Sequence, residues 1–427
     1  MIQDLYSLIQ DGFCVSIDSR NIGKRDIFFA LKGENFDGNR FAENAIRNGA
    51  KYAVVDNENF AKDSRYILFS DVLKTLQELA TMHRKSFNIP VIGITGSNGK
   101  TTTKELINAI LRKKFNTLAT KGNLNNHIGV PLMLLSLKKD HTIAVIEMGA
   151  NHVGEIAELC QIAKPTHGII TNIGKAHLEG FEDIDGVVKA KKALYDHLEV
   201  NKGTAFVNKD DALLMQLSAK VKRTLYSRDK PSKCKAVVKK STPLIELECF
   251  LDDEKFELST HLYGSYNVYN ILAAICTASH FDTEIDTIKN ALSGYMPDNN
   301  RSQLIKTRSN TIFLDAYNAN PTSMSLAIKS FSEIPSASKV FIAGDMLELG
   351  AYSRDEHKII IDLLKVQNFQ HVYLVGKEFS TCSENPFTSF HNVAALYNYV
   401  KKNSITNSSI YIKGSRGIQL EKIVDLL

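Results

Sequence analysis

The sequence predicts an α/β protein of three domains, and three observations lead there. Residues 91–104, Val-Ile-Gly-Ile-Thr-Gly-Ser-Asn-Gly-Lys-Thr-Thr-Thr-Lys, read as a buried strand, a turn of Gly and small polar residues, and the start of a helix. Beyond them, continuously apolar strands alternate with helical patterns, as in a parallel sheet covered on both faces. The chain's 427 residues exceed one typical core and suit about two to four domains.

Over residues 1–88, short strands at 26–31 and 52–55 alternate with helical patterns such as 41–48. A helix over 72–86 then runs toward Pro90, which ends it. The middle domain, 89–297, opens with the strand–turn–helix unit. It continues with a strand at 141–147, a helix at 153–163 and a strand at 167–172. Residues 235–260 alternate polar and apolar side chains around Asp252-Asp253-Glu254, which predicts an antiparallel hairpin at the sheet edge. An apolar helix at 267–279 follows. After Met296-Pro-Asp-Asn-Asn300 the rhythm restarts with strands at 311–315, 339–343, 371–375 and 409–413, a separate α/β domain over 298–427.

Composition narrows the function classes. Hydrophobic residues make up 44% and charged residues 23%, as in a soluble globular protein. A formal charge of +5 is spread over short lysine pairs such as Lys138-Lys139 and Lys401-Lys402, which argues against a nucleic-acid tract. No basic-then-apolar leader opens the chain, and no run of about 18 apolar residues spans a membrane. Six cysteines, none in a CxxC pair, fit free thiols in a reducing compartment. The expectation is a cytoplasmic protein without membrane insertion or nucleic-acid partner.

The turn at 96–101 carries the chemistry. Gly96 and Gly99 let backbone N–H groups converge on an anion, Lys100 brings charge to the outer phosphates, and the Thr101 hydroxyl suits Mg²⁺. The strict phosphate-loop spacing would place Gly at 94, where this chain has Ile. Glu147 closes an apolar strand, the place from which a carboxylate reaches the same cation; the competing explanation is a surface acid capping the next helix. His177 follows another strand and is a candidate second metal ligand, although a lone His is more often a satisfied polar residue. Asp315 ends the first strand of the last domain, before the acceptor-rich turn Tyr-Asn-Ala-Asn-Pro321, whose simpler reading is a helix start. A rival reading is a GTPase-type switch, because Asn208-Lys-Asp-Asp211 fits Asn-Lys-x-Asp and Asp183-Ile-Asp-Gly186 fits Asp-x-x-Gly. Against it, Asp183 does not end an apolar strand and the loop misses the required spacing.

Taken together these residues resemble the Mur ligase family over nearly the whole chain. Thr95-Gly-Ser-Asn-Gly-Lys-Thr-Thr102 is similar to its ATP loop, which accounts for the spacing. Asp18-Ser-Arg20 and Leu31-Lys-Gly-Glu-Asn-Phe-Asp-Gly38 resemble its UDP-sugar-binding segment. Gly122-Asn-Leu-Asn-Asn-His-Ile-Gly-Val-Pro131 resembles the branch that adds D-alanyl-D-alanine. Glu147-Met-Gly-Ala-Asn151, Asn172 to Phe181, Ala190-Lys191, Gly264 to Ile271, Asp315 to Pro321, Gly344-Asp-Met346 and Lys413-Gly-Ser-Arg416 continue the match. Folylpolyglutamate synthase, a ligase sharing the ATP loop, lacks the Asn-Leu-Asn-Asn-His-Ile-Gly stretch. Two positions depart: Asn39 stands where the branch usually has His, and Lys192-Ala193 where Gly-Glu is usual.

The resemblance implies a small mixed α/β UDP-sugar-binding domain, a central parallel-sheet domain of P-loop ATPase type and a Rossmann-like ligase domain. It implies an ATP- and Mg²⁺-dependent, ADP-forming amide ligase. Its substrates would be UDP-N-acetylmuramoyl-tripeptide and D-alanyl-D-alanine, joined through an acyl phosphate in peptidoglycan synthesis by a monomer serving cell shape and division. ATP would be held by Gly96, Ser97, Asn98, Gly99, Lys100, Thr101 and Thr102 with Asn270, Arg301 and Asp315. Metal would be held by Thr101, Glu147, His177 and a carbamylated Lys191. Lys100, Lys191 and His177 would carry catalysis. Substrate would be bound by Ser19, Arg20, Lys32 and Asn35 and by Asn125, Asn126 and His127.

Overall fold

The computed structural model describes residues 1–382 and 384–427. Three main sheets follow one another along the chain, beside a two-stranded antiparallel pair, Lys32–Gly33 with Phe36–Asp37. The first is parallel throughout, in the order Cys14–Ser16, Asp26–Phe29, Tyr52–Val55, Tyr66–Leu68. Helices Ile2–Gln10, Ala42–Arg47 and Val72–Lys85 accompany it, and Asp71 caps the last of these by accepting from Lys74 N–H. The helical pattern at 41–48 starts as a 3₁₀ turn, Gly38–Phe41, because the Asp37 side chain accepts from Asn39 N–H and tightens the entry.

The central sheet has nine strands. From one edge they run Glu254–Ser259, Glu246–Leu251, Cys234–Lys240, Lys222–Ser227, Thr204–Asn208, His167–Ile170, Val91–Thr95, Ile143–Glu147 and Thr117–Ala119. The expected hairpin is there: Glu246–Leu251 pairs antiparallel with both its neighbours at that edge, while the remaining pairs are parallel. Val91–Thr95 is buried along its whole length. Val91 packs into one layer with Ala144 and Ile146, and Ile92 and Ile94 into the opposite layer with Leu106, Ile107 and Ile271. Each of the Val, Ile and Leu side chains contributes roughly 1.5–3 kcal/mol of burial. The strand that carries the turn is therefore clamped from both faces.

Two expected elements are shorter than their patterns. The strand at 167–172 stops at Ile170 because Thr171 and Asn172 turn to bond the loop beside them. The helix expected from 153 begins at Glu155, after Gly154 takes a positive φ of 100°. The third sheet has six strands in the order Gln303–Lys306, Asn310–Asp315, Ser408–Lys413, Lys339–Gly344, His371–Val375, Thr388–Phe390, with only the first pair antiparallel. No described helix is long and apolar enough to cross a membrane.

Candidate active site

The carboxyl ends of the central and last sheets face each other across a cleft of about 450 Å³. The turn on its central-domain wall needs its glycines. Gly96 and Gly99 have φ of 143° and 81°, and a Cβ would lie 2.0 Å from Thr171 Oγ1 at one and 2.5 Å from Asn270 Oδ1 at the other. Thr171 and Asn172 hold the turn, Asn98 N–H donating to Asn172 Oδ1 at 3.0 Å and Thr171 Oγ1 to Asn98 O at 2.6 Å. Lys100 opens the helix Lys100–Leu111, and its ammonium folds back on Gly96 O at 2.7 Å and Ser97 O at 3.2 Å. Burial pulls its pKa down to about 8, with Arg301 pushing the same way and Glu147 opposing. This is an ammonium held short of its natural counter-charge.

Glu147 ends its strand in the floor of the cleft, 2% exposed. Its Oε1 accepts from Thr101 Oγ1 at 3.2 Å and from Asn125 Nδ2 at 2.8 Å, while Oε2 is buried without a partner among the described residues. Glu147 N–H donates to Thr120 Oγ1 at 2.9 Å, and the Thr120 carbonyl accepts from the buried Lys104 ammonium at 2.7 Å. The Thr101 hydroxyl and a carboxylate with one orphaned oxygen form a hard-oxygen donor set that fits Mg²⁺.

His177 takes a left-handed backbone (φ 53°) before the turn Leu178–Phe181 and lines the cleft, with Nδ1 bonded to the Glu348 carboxylate. That contact holds Glu348 below its usual carboxylate range. Lys191 lies on the helix Ile184–Val200, and it is not the surface lysine that its neighbours Lys189 and Lys192 suggest: it is 1% exposed. Among the described residues its ammonium has no hydrogen-bond partner, and it stands 5.2 Å from the Phe181 ring centre. Burial, then the Lys100 charge, push its pKa well below the usual lysine value, against the pull of Glu155. A buried neutral amine is the form that adds to carbon dioxide. Lys191 is not itself in the cleft wall, and among the described residues no three His, Cys, Asp or Glu side chains converge as a metal site.

The opposite wall comes from the last domain. Asp315 pairs with Lys413 at 2.6 Å, and the Arg301 guanidinium stacks 3.6 Å above the Tyr317 ring centre, its buried Nε unpartnered among the described residues. Asn270 is brought against Gly99, but its amide is committed inward, donating to Asn267 Oδ1 at 2.8 Å and accepting from Thr103 Oγ1 at 3.1 Å. The two walls are tied together. Asn320 Nδ2 donates to Asn98 Oδ1 at 2.8 Å, Lys175 pairs with Glu356 at 2.5 Å, and Glu179 N–H donates to Glu348 O at 3.2 Å.

Asn125, Asn126 and His127 line the same cleft, whereas Ser19, Arg20, Lys32 and Asn35 do not. Asn126 spends its Oδ1 on Gly129 N–H at 2.9 Å, a helix-start bond. In the first domain Arg20 pairs with Asp18 at 2.9 Å and Lys32 with Asp56 at 2.8 Å. Asn39 is buried, donating to both Asp37 and Asp56 at 2.8 Å. Sequence reasoning about single residues missed Tyr317, Asn320, Lys413 and Glu348. The first three stood inside segments already singled out, and Glu348 had no signal. The guanine-type signatures have structural work instead: Asp183 and Asp211 cap the helices Ile184–Val200 and Ala212–Leu217, and Asp210 Oδ2 accepts from Arg228 N–H at 2.6 Å.

Comparison with known proteins finds three family profiles along the chain. They are the Mur ligase family catalytic domain over residues 14–92, the Mur ligase middle domain over 94–278 and the Mur ligase glutamate ligase domain over 300–416. The UDP-N-acetylmuramoyl-tripeptide–D-alanyl-D-alanine ligase of Bacillus subtilis is 32% identical over 96% of this chain and 92% of its own. A crystal structure of MurF from Acinetobacter baumannii is 30% identical with a TM-score of 0.88, covering 100% of this chain and 98% of that one. The MurF ligase from Thermotoga maritima in complex with ADP is 26% identical with a TM-score of 0.87, covering 98% and 97%.

Proposed function

This chain belongs to the Mur ligase family, and we infer from that premise that it joins D-alanyl-D-alanine to UDP-N-acetylmuramoyl-tripeptide with ATP, forming ADP and phosphate. Neither a GTPase-type switch nor a folylpolyglutamate-synthase-like ligase is favoured by these relatives. The observation that carries the reading is one cleft holding the Lys100 ammonium, the Thr101 hydroxyl and the half-satisfied Glu147 carboxylate, closed by a second domain.

The chemistry is activation of a carboxylate. Phosphoryl transfer depends on positioning and charge neutralisation rather than covalent help. The N–H groups of residues 96–102 and the Lys100 ammonium bind the phosphates, releasing Lys100 from the loop carbonyls it now bonds. Thr101 and the free Glu147 oxygen would hold Mg²⁺, which would supply charge neutralisation at those phosphates. Arg301, stacked on Tyr317, presents its Nε side to the nucleotide, and Asp315 offers an acceptor for ribose or base. The terminal carboxylate of the tripeptide takes the γ-phosphoryl group, and the dipeptide amine displaces phosphate. The ties between Asn98 and Asn320 and between Lys175 and Glu356 keep the walls together, which excludes the water that would hydrolyse the acyl phosphate.

Several finer assignments belong to the same proposal. Lys191, buried and with its pKa pushed down, is the carbamylation site; His177, through the nitrogen not bound to Glu348, would share a second Mg²⁺ with it. Ser19, Arg20, Lys32 and Asn35 bind the UDP-sugar, and Asn125 acts by orienting Glu147. Domain limits fall at 1–88, 89–297 and 298–427, and the enzyme works as a cytoplasmic monomer supporting cell-wall growth and division. The test is ADP release with each substrate omitted in turn: turnover needs both the UDP-muramoyl tripeptide and the dipeptide, and equal release without either contradicts the ligase reading.

A further inference from the structure

Attack on an acyl phosphate needs a proton acceptor that the residues above do not supply. A dipeptide amine arrives at neutral pH largely as an ammonium, with no lone pair until a proton leaves. One imidazole, flanked by two cleft-lining residues though not itself in the wall, is arranged to take it. His152 lies between Asn151 and Glu155, both of which line the cleft. Glu155 Oε2 accepts from the backbone N–H groups of Asn151 at 2.7 Å and His152 at 3.1 Å, and Oε1 meets His152 Nδ1 at 3.3 Å. The two backbone bonds tie the loop before the helix Glu155–Ala163 to its first residue on their own; the imidazole contact is not needed for that tie. What it does is place N–H on Nδ1, which leaves Nε2 as the basic nitrogen.

The other side of the ring is fixed as well. Gly180 lies on the turn that begins at His177, and a Cβ there would come within 3.0 Å of His152 Nε2 and 2.3 Å of Asn151 O. The ring thus stands between a carboxylate and a bare backbone, next to the segment carrying a cleft residue. It is 66% exposed, so a proton it gains passes on to water.

We propose that His152, oriented by Glu155, is the base that accepts the ammonium proton of the incoming dipeptide, an assignment resting on the acyl-phosphate reading above. One N–H bond of the ammonium breaks and its proton goes to His152 Nε2. The freed lone pair forms the C–N bond while the C–O bond to phosphate breaks. The amine's second proton leaves with the phosphate as hydrogen phosphate, and the imidazolium returns its proton to water.

The test separates nucleophiles. His152→Gln and His152→Ala are compared with wild type using D-alanyl-D-alanine and using hydroxylamine, an acceptor that is mostly uncharged at neutral pH and needs no base. Transfer to the dipeptide is expected to fall about 100-fold in both variants, hydroxamate formation to stay within about twofold, and added imidazole to restore part of the dipeptide rate of His152→Ala. A dipeptide rate within about threefold of wild type, or equal slowing with both nucleophiles, overturns the proposal, the second result marking a merely structural side chain. Absence of hydroxamate in wild type overturns the acyl-phosphate reading and this assignment with it.

Discussion

Replacing Glu147 with Gln is the sharpest single perturbation of the cleft. The substitution preserves shape and leaves an amide oxygen where Oε1 accepts from Thr101 and Asn125, at 3.2 Å and 2.8 Å. What changes is the second atom: an anionic oxygen, buried and without a partner, becomes an NH₂ group. Leaving a neutral donor unsatisfied costs about 1–3 kcal/mol, and the wild type already carries an unsatisfied charged acceptor there, so thermal stability should hardly move. Loss of the charge that faces the bound cation removes a preorganised electrostatic contact, worth about 100- to 1,000-fold in turnover. The assay is ADP release against Mg²⁺ concentration, alongside thermal denaturation. A variant with wild-type turnover and Mg²⁺ dependence would refute the reasoning, as would a large fall in melting temperature accounting for lost activity.

Lys100→Ala should bind nucleotide poorly and lose turnover while keeping the fold, because its ammonium contacts only loop carbonyls; near-normal ADP release removes the phosphate-site assignment. Lys191→Ala should lose ligation yet still bind ATP, with partial rescue by formate or acetate filling the vacated space; full activity without additive makes the helix position catalytically idle. Buried Lys191 also has a pH signature. Its folded pKa lies below the unfolded value near 10.4, so the unfolded chain binds more protons and stability rises with pH up to about that value. Lys191→Met should flatten that slope and melt higher at neutral pH, read by thermal denaturation from pH 6 to about 10; an unchanged slope contradicts a neutral buried lysine. Nucleotide choice should favour ATP, and a preference for GTP lost on changing Asp211 would revive the switch reading that its helix-capping bond argues against.

What was legible in the sequence was what short-range physics controls. Val91–Thr95 and Lys100–Leu111 could be placed because an apolar run, a Gly-rich turn and a helix start each have their own local pattern. The edge hairpin was legible from alternation, since Glu246–Leu251 shows one face to the core and one to solvent. Side-chain fate was less legible. Asn126 and Asn270 sit where expected but spend their amides on backbone or neighbouring Asn and Thr groups, a choice decided by packing between segments more than a hundred residues apart for Thr103 and Asn270. The local pattern of Lys191, flanked by Lys189 and Lys192, is that of a surface lysine, and only the packing of its helix beside Phe181 buries it. Glu348 meets His177 across two domains, a pairing that no local pattern records.

The central claim is that the tripeptide carboxylate is activated by phosphorylation before the dipeptide attacks. It is tested most directly by labelling both terminal carboxylate oxygens of the UDP-muramoyl tripeptide with ¹⁸O and analysing the phosphate released during ligation by mass spectrometry. The account predicts one labelled oxygen in each phosphate formed, carried over when the C–O bond of the acyl phosphate breaks. Phosphate free of label, from an enzyme that still makes the amide bond, would contradict it.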